Sequence, residues 1–284
     1  MPCKLRDVLF ADAALARRIE GAECRLSLSI VDAVLARGGD AFAVPLGGGA
    51  AVFSGAGSPI NKVIGVGFGE PASESVWDAV ERRFAEKNCS VRVEISTLAD
   101  SAISAALTRR GYVLSDFENV LGYFLAGAAG EPQAPGDGLT IARNEGDLTT
   151  WMDLVVQGFG HPDGSPQSSE VFEDETLKQV FHDFAASAGF TRYLARLHGT
   201  NAGGAGLRLS DGIAQFCGAS TLPAFRRRGV QAALLRCRLR DAAAASCDVA
   251  VVTTQPGSKS NHNAQREGFA LLYARAVLVK ETAS

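Results

Sequence analysis

Three consecutive arginines, Arg226, Arg227 and Arg228, run into Gly229 and then into an apolar stretch that begins Val230, Gln231, Ala232. A strand-like run, Ile213–Thr221, precedes them and Pro223 interrupts the gap, so the spacing predicts a strand, a tight turn and a helix start in succession. The first backbone N–H groups of a helix have no partner within it, and the macrodipole makes that end electropositive. Arginines are disfavoured there unless an anion compensates them, and guanidinium groups pair well with phosphate oxygens. Gly229 lets the backbone approach a ligand without a Cβ in the way. The chemistry this pattern supports is capture of a phosphate or pyrophosphate, with the Val230–Ala232 amides as donors. The plainer alternative is an arginine-rich helix start that only solvates a surface. There is no GxxxxGK[ST], and no GxGxxG following a strand, so neither a P-loop nor a Rossmann dinucleotide site is supported.

The arrangement Arg226-x-x-Gly229-x-Gln231-Ala232 resembles the R/Q-x-x-G-x-G/A signature of the GNAT superfamily of acyl-CoA N-acyltransferases, and Pro223, three residues before Arg226, fits the resemblance. Gln231 departs from the small residue usual at the sixth position. The resemblance implies that acetyl-CoA, or another acyl-CoA, is the cosubstrate. Its pyrophosphate would lie on Arg226–Ala232, and its pantetheine would pair with the backbone of Cys217–Thr221, including Ala219 and Thr221. Ser260 and Asn263 would contact its pantetheine end or its adenosine side. An amine then attacks the thioester directly, so Cys217 is not required as a nucleophile and reads as a small buried hydrophobe.

Relatives often carry a glutamate on the strand before the arginine loop and a tyrosine four residues before the helix-ending glycine. Here the strand GIAQFCGAST has Gln215 and no acid, and the tyrosine position is Ala264. His161, beside Asp163 in the loop GFGHPDG, is a candidate base. His262 is a candidate proton donor to the departing thiolate, and Tyr273 is a third candidate. Each is equally a loop, surface or core residue without a chemical role. Orientation and solvent alone offer another route, since positioning supplies much of the acceleration. The acidic run Glu170, Glu173, Asp174, Glu175 would suit a polyamine or aminoglycoside, or would simply favour a helix N-terminus.

The rest of the chain must position these residues. Its 284 residues are 46% hydrophobic and 21% charged, enough for two ordinary domains with real cores. A net charge of −3 argues against nucleic acid or an anionic membrane as partner. Six arginines between Arg226 and Arg240 read instead as a local anion site. Cys3, Cys24, Cys89, Cys217, Cys237 and Cys247 form no CxxC pair and no zinc spacing, so no metal is expected and free thiols in a reducing, cytoplasmic setting are the plain reading. The first residues, MPCKLRDVLFADAALARR, do not read as a signal peptide, and no run reaches membrane-spanning length.

The chain also repeats itself. TRRGYVLSDFENVL from Thr108 aligns without gaps to QREGFALLYARAVL from Gln265, matching Gly111 to Gly268 and Tyr112 to Phe269 at an offset of 157. The same offset lays Val91–Ile95 on Asp248–Val252 and Ser73–Lys87 on Val230–Ala244. It places Gly69, Glu70, Pro71 and Ala72 where the second copy has its arginines, so only the second copy is expected to hold the anion.

We therefore expect an α/β fold of two tandem GNAT-like domains, each with a mixed, mostly antiparallel sheet flanked by helices. Residues 1–130 form a degenerate copy and residues 136–284 the acyl-CoA-binding copy, joined by a Gly/Ala/Pro-rich linker with its boundary near Pro135. The glycine-rich Gly47–Gly69 reads as a hairpin turning at Gly55–Pro59. In the second copy, strands at Phe190–Leu197 and Ala205–Leu209 flank a turn around Gly199–Gly203. Three functions fit: an N-acetyltransferase acting on a small-molecule or peptide amine as a monomer or homodimer, an acyl-CoA-binding sensor without turnover, and an interaction scaffold.

Overall fold

The computed structural model describes residues 10–125, 136–159 and 173–282. Helix α1 (Ala13–Ala36) starts where the Asp12 carboxylate accepts the Leu15 N–H at 2.8 Å, and its stripe of Ala16, Ile19, Ile30, Val31 and Val34 is buried. Then follow β1 (Phe42–Leu46), β2 (Gly49–Phe53), β3 (Lys62–Ile64), α2 (Glu74–Ala85), β4 (Val91–Ser96), α3 (Ala102–Arg109) and β5 (Val113–Phe124). The second half runs β6 (Leu139–Arg143), α4 (Leu148–Phe159), α5 (Asp174–Ala186), β7 (Phe190–Leu197), β8 (Thr200–Ser210) and β9 (Ile213–Thr221). It continues through a 3-10 turn (Pro223–Phe225) to α6 (Val230–Ala244), β10 (Val249–Thr254), α7 (Lys259–Arg266) and β11 (Ala270–Lys280). The offset of 157 carries α3 onto α7 end to end and the start of β5 onto the start of β11.

The halves share one mixed, mostly antiparallel sheet, in the order β1-β2-β3-β4-β11-β5-β10-β9-β8-β7-β6. Their last strands are exchanged: β11 pairs with β4 and β5 of the first half, and β5 pairs with β10 of the second. Glu118 of β5 lies opposite Arg275 of β11. The offset equates these same two residues, so a local twofold passes between them. Strand parity sorts the helices. Ala214, Phe216 and Ala250 pack with α6, whereas Ile213, Val249 and Val251 pack with α1 on the other face. Helices α4 and α5 share the α1 face, where Trp151 and Phe181 meet edge to face.

The expected hairpin forms, with β2 antiparallel to β3. Its glycines have a packing cause: a Cβ on Gly49 would lie 2.0 Å from Ile64 O, and one on Gly69 would lie 2.8 Å from Gly48 Cα. The turn expected around Gly199–Gly203 is tighter, because β8 already begins at Thr200. Gly204 and Gly206 are strand residues that make room. A Cβ on Gly206 would meet the Phe190 ring at 2.4 Å, and one on Gly204 would crowd Val155 and Trp151 of α4.

Candidate functional site

The turn after β9 delivers the arginine loop to the start of α6. Gly229 is the helix N-cap at φ +78, a left-handed conformation that favours glycine, and Arg227 shares it at φ +63. A Cβ on Gly229 would touch nothing within 4 Å, so backbone conformation rather than crowding selects glycine here. The three arginines divide their work. Arg226 is half-buried and its Nε donates to Thr221 O at 3.3 Å, bracing the loop against the strand end. Arg227 and Arg228 are exposed, and Arg228 lies 6.0 Å over the Phe225 ring. Buried Val230 anchors the helix start, half-buried Ala232 follows it, and the Gln231 side chain accepts from Thr221 Oγ1 at 3.5 Å. Two arginines of the wider cluster are engaged within the protein. Arg236 pairs with Glu267 at 2.6 Å. Arg238, 1% exposed, donates to Gly206 O at 3.0 Å and stacks on Phe216, and burial pulls its pKa down to about 10.

Strands β9 and β10 are parallel neighbours at three rungs, Ile213–Val249, Ala214–Ala250 and Gln215–Val251. Beyond Gln215 they splay, each held by its outer neighbour: Thr221 pairs with Gly203 of β8, and Thr254 with Asn119 of β5. The splay leaves a slot with a backbone edge on each side, and Thr221 at the end of β9 reaches Gln231 in the first turn of α6. Within it β9 bulges at Gly218 and Ala219, with Gly218 at φ +56. Ser220 Oγ ties the bulge to α4 by donating to Leu154 O at 2.9 Å.

The corresponding slot of the first half is closed. Strands β3 and β4 pair at Val63–Val93, after which the chain turns inward: Asp100 N–H donates to Gly67 O at 2.9 Å and Gly67 N–H to Gly47 O at 3.2 Å. Val66, just beyond β3, is buried in the core of the first half, and the offset of 157 sets Gly69–Ala72 against the arginines and Gly229 of the second copy.

Of the residues proposed from sequence for proton transfer, His262 and Tyr273 are among the described residues. His161, with Asp163 and Glu170, falls outside the described residues. His262 and Ser260 are exposed on α7, and Asn263 is half-buried. The helix turns Ala264 and Asn261 toward the sheet instead, where Asn261 Oδ1 accepts from Asn119 and Thr254 at 3.1 Å each. Tyr273 is buried and donates to Glu20 Oε1 at 2.7 Å; burial and then the Glu20 charge push its pKa far up. Burial also pushes the Cys217 thiol up to about 12, which leaves little thiolate near neutrality.

A polar layer beneath α1 went unread in the sequence. Arg208 Nη1 donates to Gln215 Oε1 at 2.8 Å, Gln215 Nε2 donates to Glu23 Oε2 at 3.0 Å, and Lys62 Nζ lies 3.5 Å from Glu23 Oε1. Lys62 also meets Glu94 at 3.1 Å, and Arg275 bridges Glu20, Glu94 and Glu118. Burial, reinforced by the Glu94 charge, raises Glu118 to about 7. Gln215 and Glu23 are 192 residues apart, and no local pattern links them.

Splayed parallel strands, a bulge beside the splay and a glycine-capped helix start after it, in one sheet whose two halves repeat the same order of elements, define the tandem GNAT fold. Solved structures carry the same fold. A GCN5-related N-acetyltransferase from Kribbella flavida matches with a TM-score of 0.64 at 16% identity, over 92% of this chain and 96% of its own. A tandem GNAT protein from the clavulanic acid biosynthesis pathway matches at 0.59 and 13% identity, over 93% and 96%. A GCN5-related N-acetyltransferase from Sphaerobacter thermophilus matches at 0.54 and 15% identity, over 74% and 67%. No protein-family model and no curated protein sequence matches the chain. Among the described residues no helix is long and apolar enough to cross a membrane, and no group of three His, Cys, Asp or Glu side chains is placed to hold a metal.

Proposed function

We propose that this protein is an N-acetyltransferase that moves an acetyl or other acyl group from acyl-CoA to an amine of a small molecule or peptide. The observation that carries the reading is the β9–β10 slot opening onto the Gly229 cap of α6. The α6 amides, with Arg227 and Arg228, suit the pyrophosphate, and the free edge of β9 suits the pantetheine amides. The bulge at Gly218–Ala219 offers an amide to the thioester carbonyl, whose oxygen gains charge as the amine adds. The C–N bond forms, the C–S bond breaks, and the thiolate leaves as CoA while the amine gives up a proton. The high pKa of Cys217 favours this direct attack over an acyl-cysteine intermediate.

Gln215 and Ala264, in place of the glutamate and tyrosine of relatives, also support a second reading, an acyl-CoA sensor without turnover. Both readings need the arginine loop. Calorimetric titration of acetyl-CoA is expected to show binding that weakens about tenfold or more in Arg227→Ala/Arg228→Ala, since a hydrogen bond to a charged group contributes roughly 1.5–3 kcal/mol. Unchanged affinity in that variant would remove the arginine loop from the site. Transfer to an amine then separates the enzyme from the sensor.

A further inference from the structure

Strand β9 lacks an acid, yet a carboxylate stands beside it. Gln215 is the last rung that β9 shares with β10, so its side chain marks the closed end of the slot. Its amide is oriented from both sides: Arg208 Nη1 holds Oε1 at 2.8 Å, which directs Nε2 to Glu23 Oε2 at 3.0 Å. Arg208 Nη1 also donates to Ala22 O at 3.2 Å, stapling this turn of α1 to the sheet next to the splay. Glu23 keeps 24% of its side chain exposed, while Gln215 and Lys62 around it are buried. It lies on the α1 face, opposite α6. A cosubstrate held at the α6 N-terminus enters from the α6 side, which leaves the α1 face to the amine.

We propose that Glu23, contributed by the degenerate first half, is the general base of the transfer, taking the amine proton directly or through one water as the C–N bond forms. The inference rests on the acyltransferase reading above. The proton passes from the attacking nitrogen to the carboxylate, the C–S bond breaks, and the thiolate carries away the electron pair. Charged and titratable groups face Glu23 from each neighbouring element: Lys62 of β3, Arg208 of β8, Cys217 of β9, and Tyr273 and Arg275 of β11. On this view the first half persists, without a cofactor slot of its own, because it completes the acceptor side of the second.

The test uses the full chain with benzylamine, spermidine and a glycyl peptide as acceptors, following thiol release from acetyl-CoA. Glu23→Gln is expected to lose about 10²–10³-fold in kcat/KM. The acid limb of its pH profile should flatten while its calorimetric affinity for acetyl-CoA stays unchanged. Gln215→Glu in that background should restore the limb and part of the rate, which a merely structural role would not do. Glu23→Asp, which keeps a charge beside Lys62 but withdraws it from Gln215, should fall between and serves if Glu23→Gln does not fold. A folded Glu23→Gln with the wild-type rate and profile overturns this inference alone, as does a loss that appears instead in Glu118→Gln. A wild-type protein that binds acetyl-CoA but turns over with none of the three amines overturns it together with the transfer reading.

Discussion

Glu118 and Arg275 face each other across the local twofold, and the side chains around them show how costly a charged layer inside a sheet is. Arg275 and Glu20 are each about 1% exposed, and Glu20 Oε2 has no hydrogen-bond partner. Buried ion pairs contribute less to stability than their attraction suggests, because desolvation opposes them. Glu118 carries the visible consequence. Its carboxyl sits at about 7 rather than 4.5, through burial first and the Glu94 charge second. Between those two values the folded protein keeps a proton that the unfolded chain has released. Stability on this account falls as pH rises through that window and is flat above it. Glu118→Gln removes the ionisation, so its melting temperature is expected to gain on the wild type from pH 4.5 to 7 and to hold the gain beyond. A gap that stays constant across that range would show that Glu118 is not held protonated by its surroundings.

The elements divide into those the sequence betrays and those it hides. The offset of 157 was legible because Gly111 and Gly268 both end helices at positive φ, and an aromatic residue follows each into a core. The arginine loop was legible because strand, turn and helix start are contiguous. The exchange of β5 and β11 was not. Periodicity tells that Val113–Phe124 and Ala270–Lys280 are strands, but nothing local tells which edges they join. For the same reason nothing local points to Glu23, whose carboxylate reaches Gln215 of β9 from a helix 192 residues earlier. The spacing puts Arg238 in the anion cluster, although its guanidinium is buried against the Phe216 ring. The exchange itself has a direct consequence. A chain of residues 136–284 alone would leave β10 without β5, and β11 without either neighbour, exposing long unpaired edges. Expressed alone it is expected to aggregate or to melt without cooperativity, and co-expression with residues 1–135 should restore a soluble complex. A solitary second half that melts cooperatively and binds acetyl-CoA normally would refute this dependence.

At the scale of the whole molecule, duplication has produced two slots with opposite fates. In the second half the strands part and a glycine-capped helix, flanked by arginines, faces the gap. In the first, glycines let the chain fold back into the gap, where Asp100 N–H and Gly67 O seal it at 2.9 Å. The surface is pooled as well: β5, from the closed half, walls the open half, and α1 lies across both. The proposed function makes the two copies unequal: acyl-CoA is expected to engage the second and not the first. Amide hydrogen exchange of the intact protein with and without acetyl-CoA tests it most directly, because it reads both copies in one experiment. Protection is expected across Ala219–Ala232, with Gly65–Ser73 unchanged. Protection of Gly65–Ser73, or of neither segment at saturating acetyl-CoA, would contradict it.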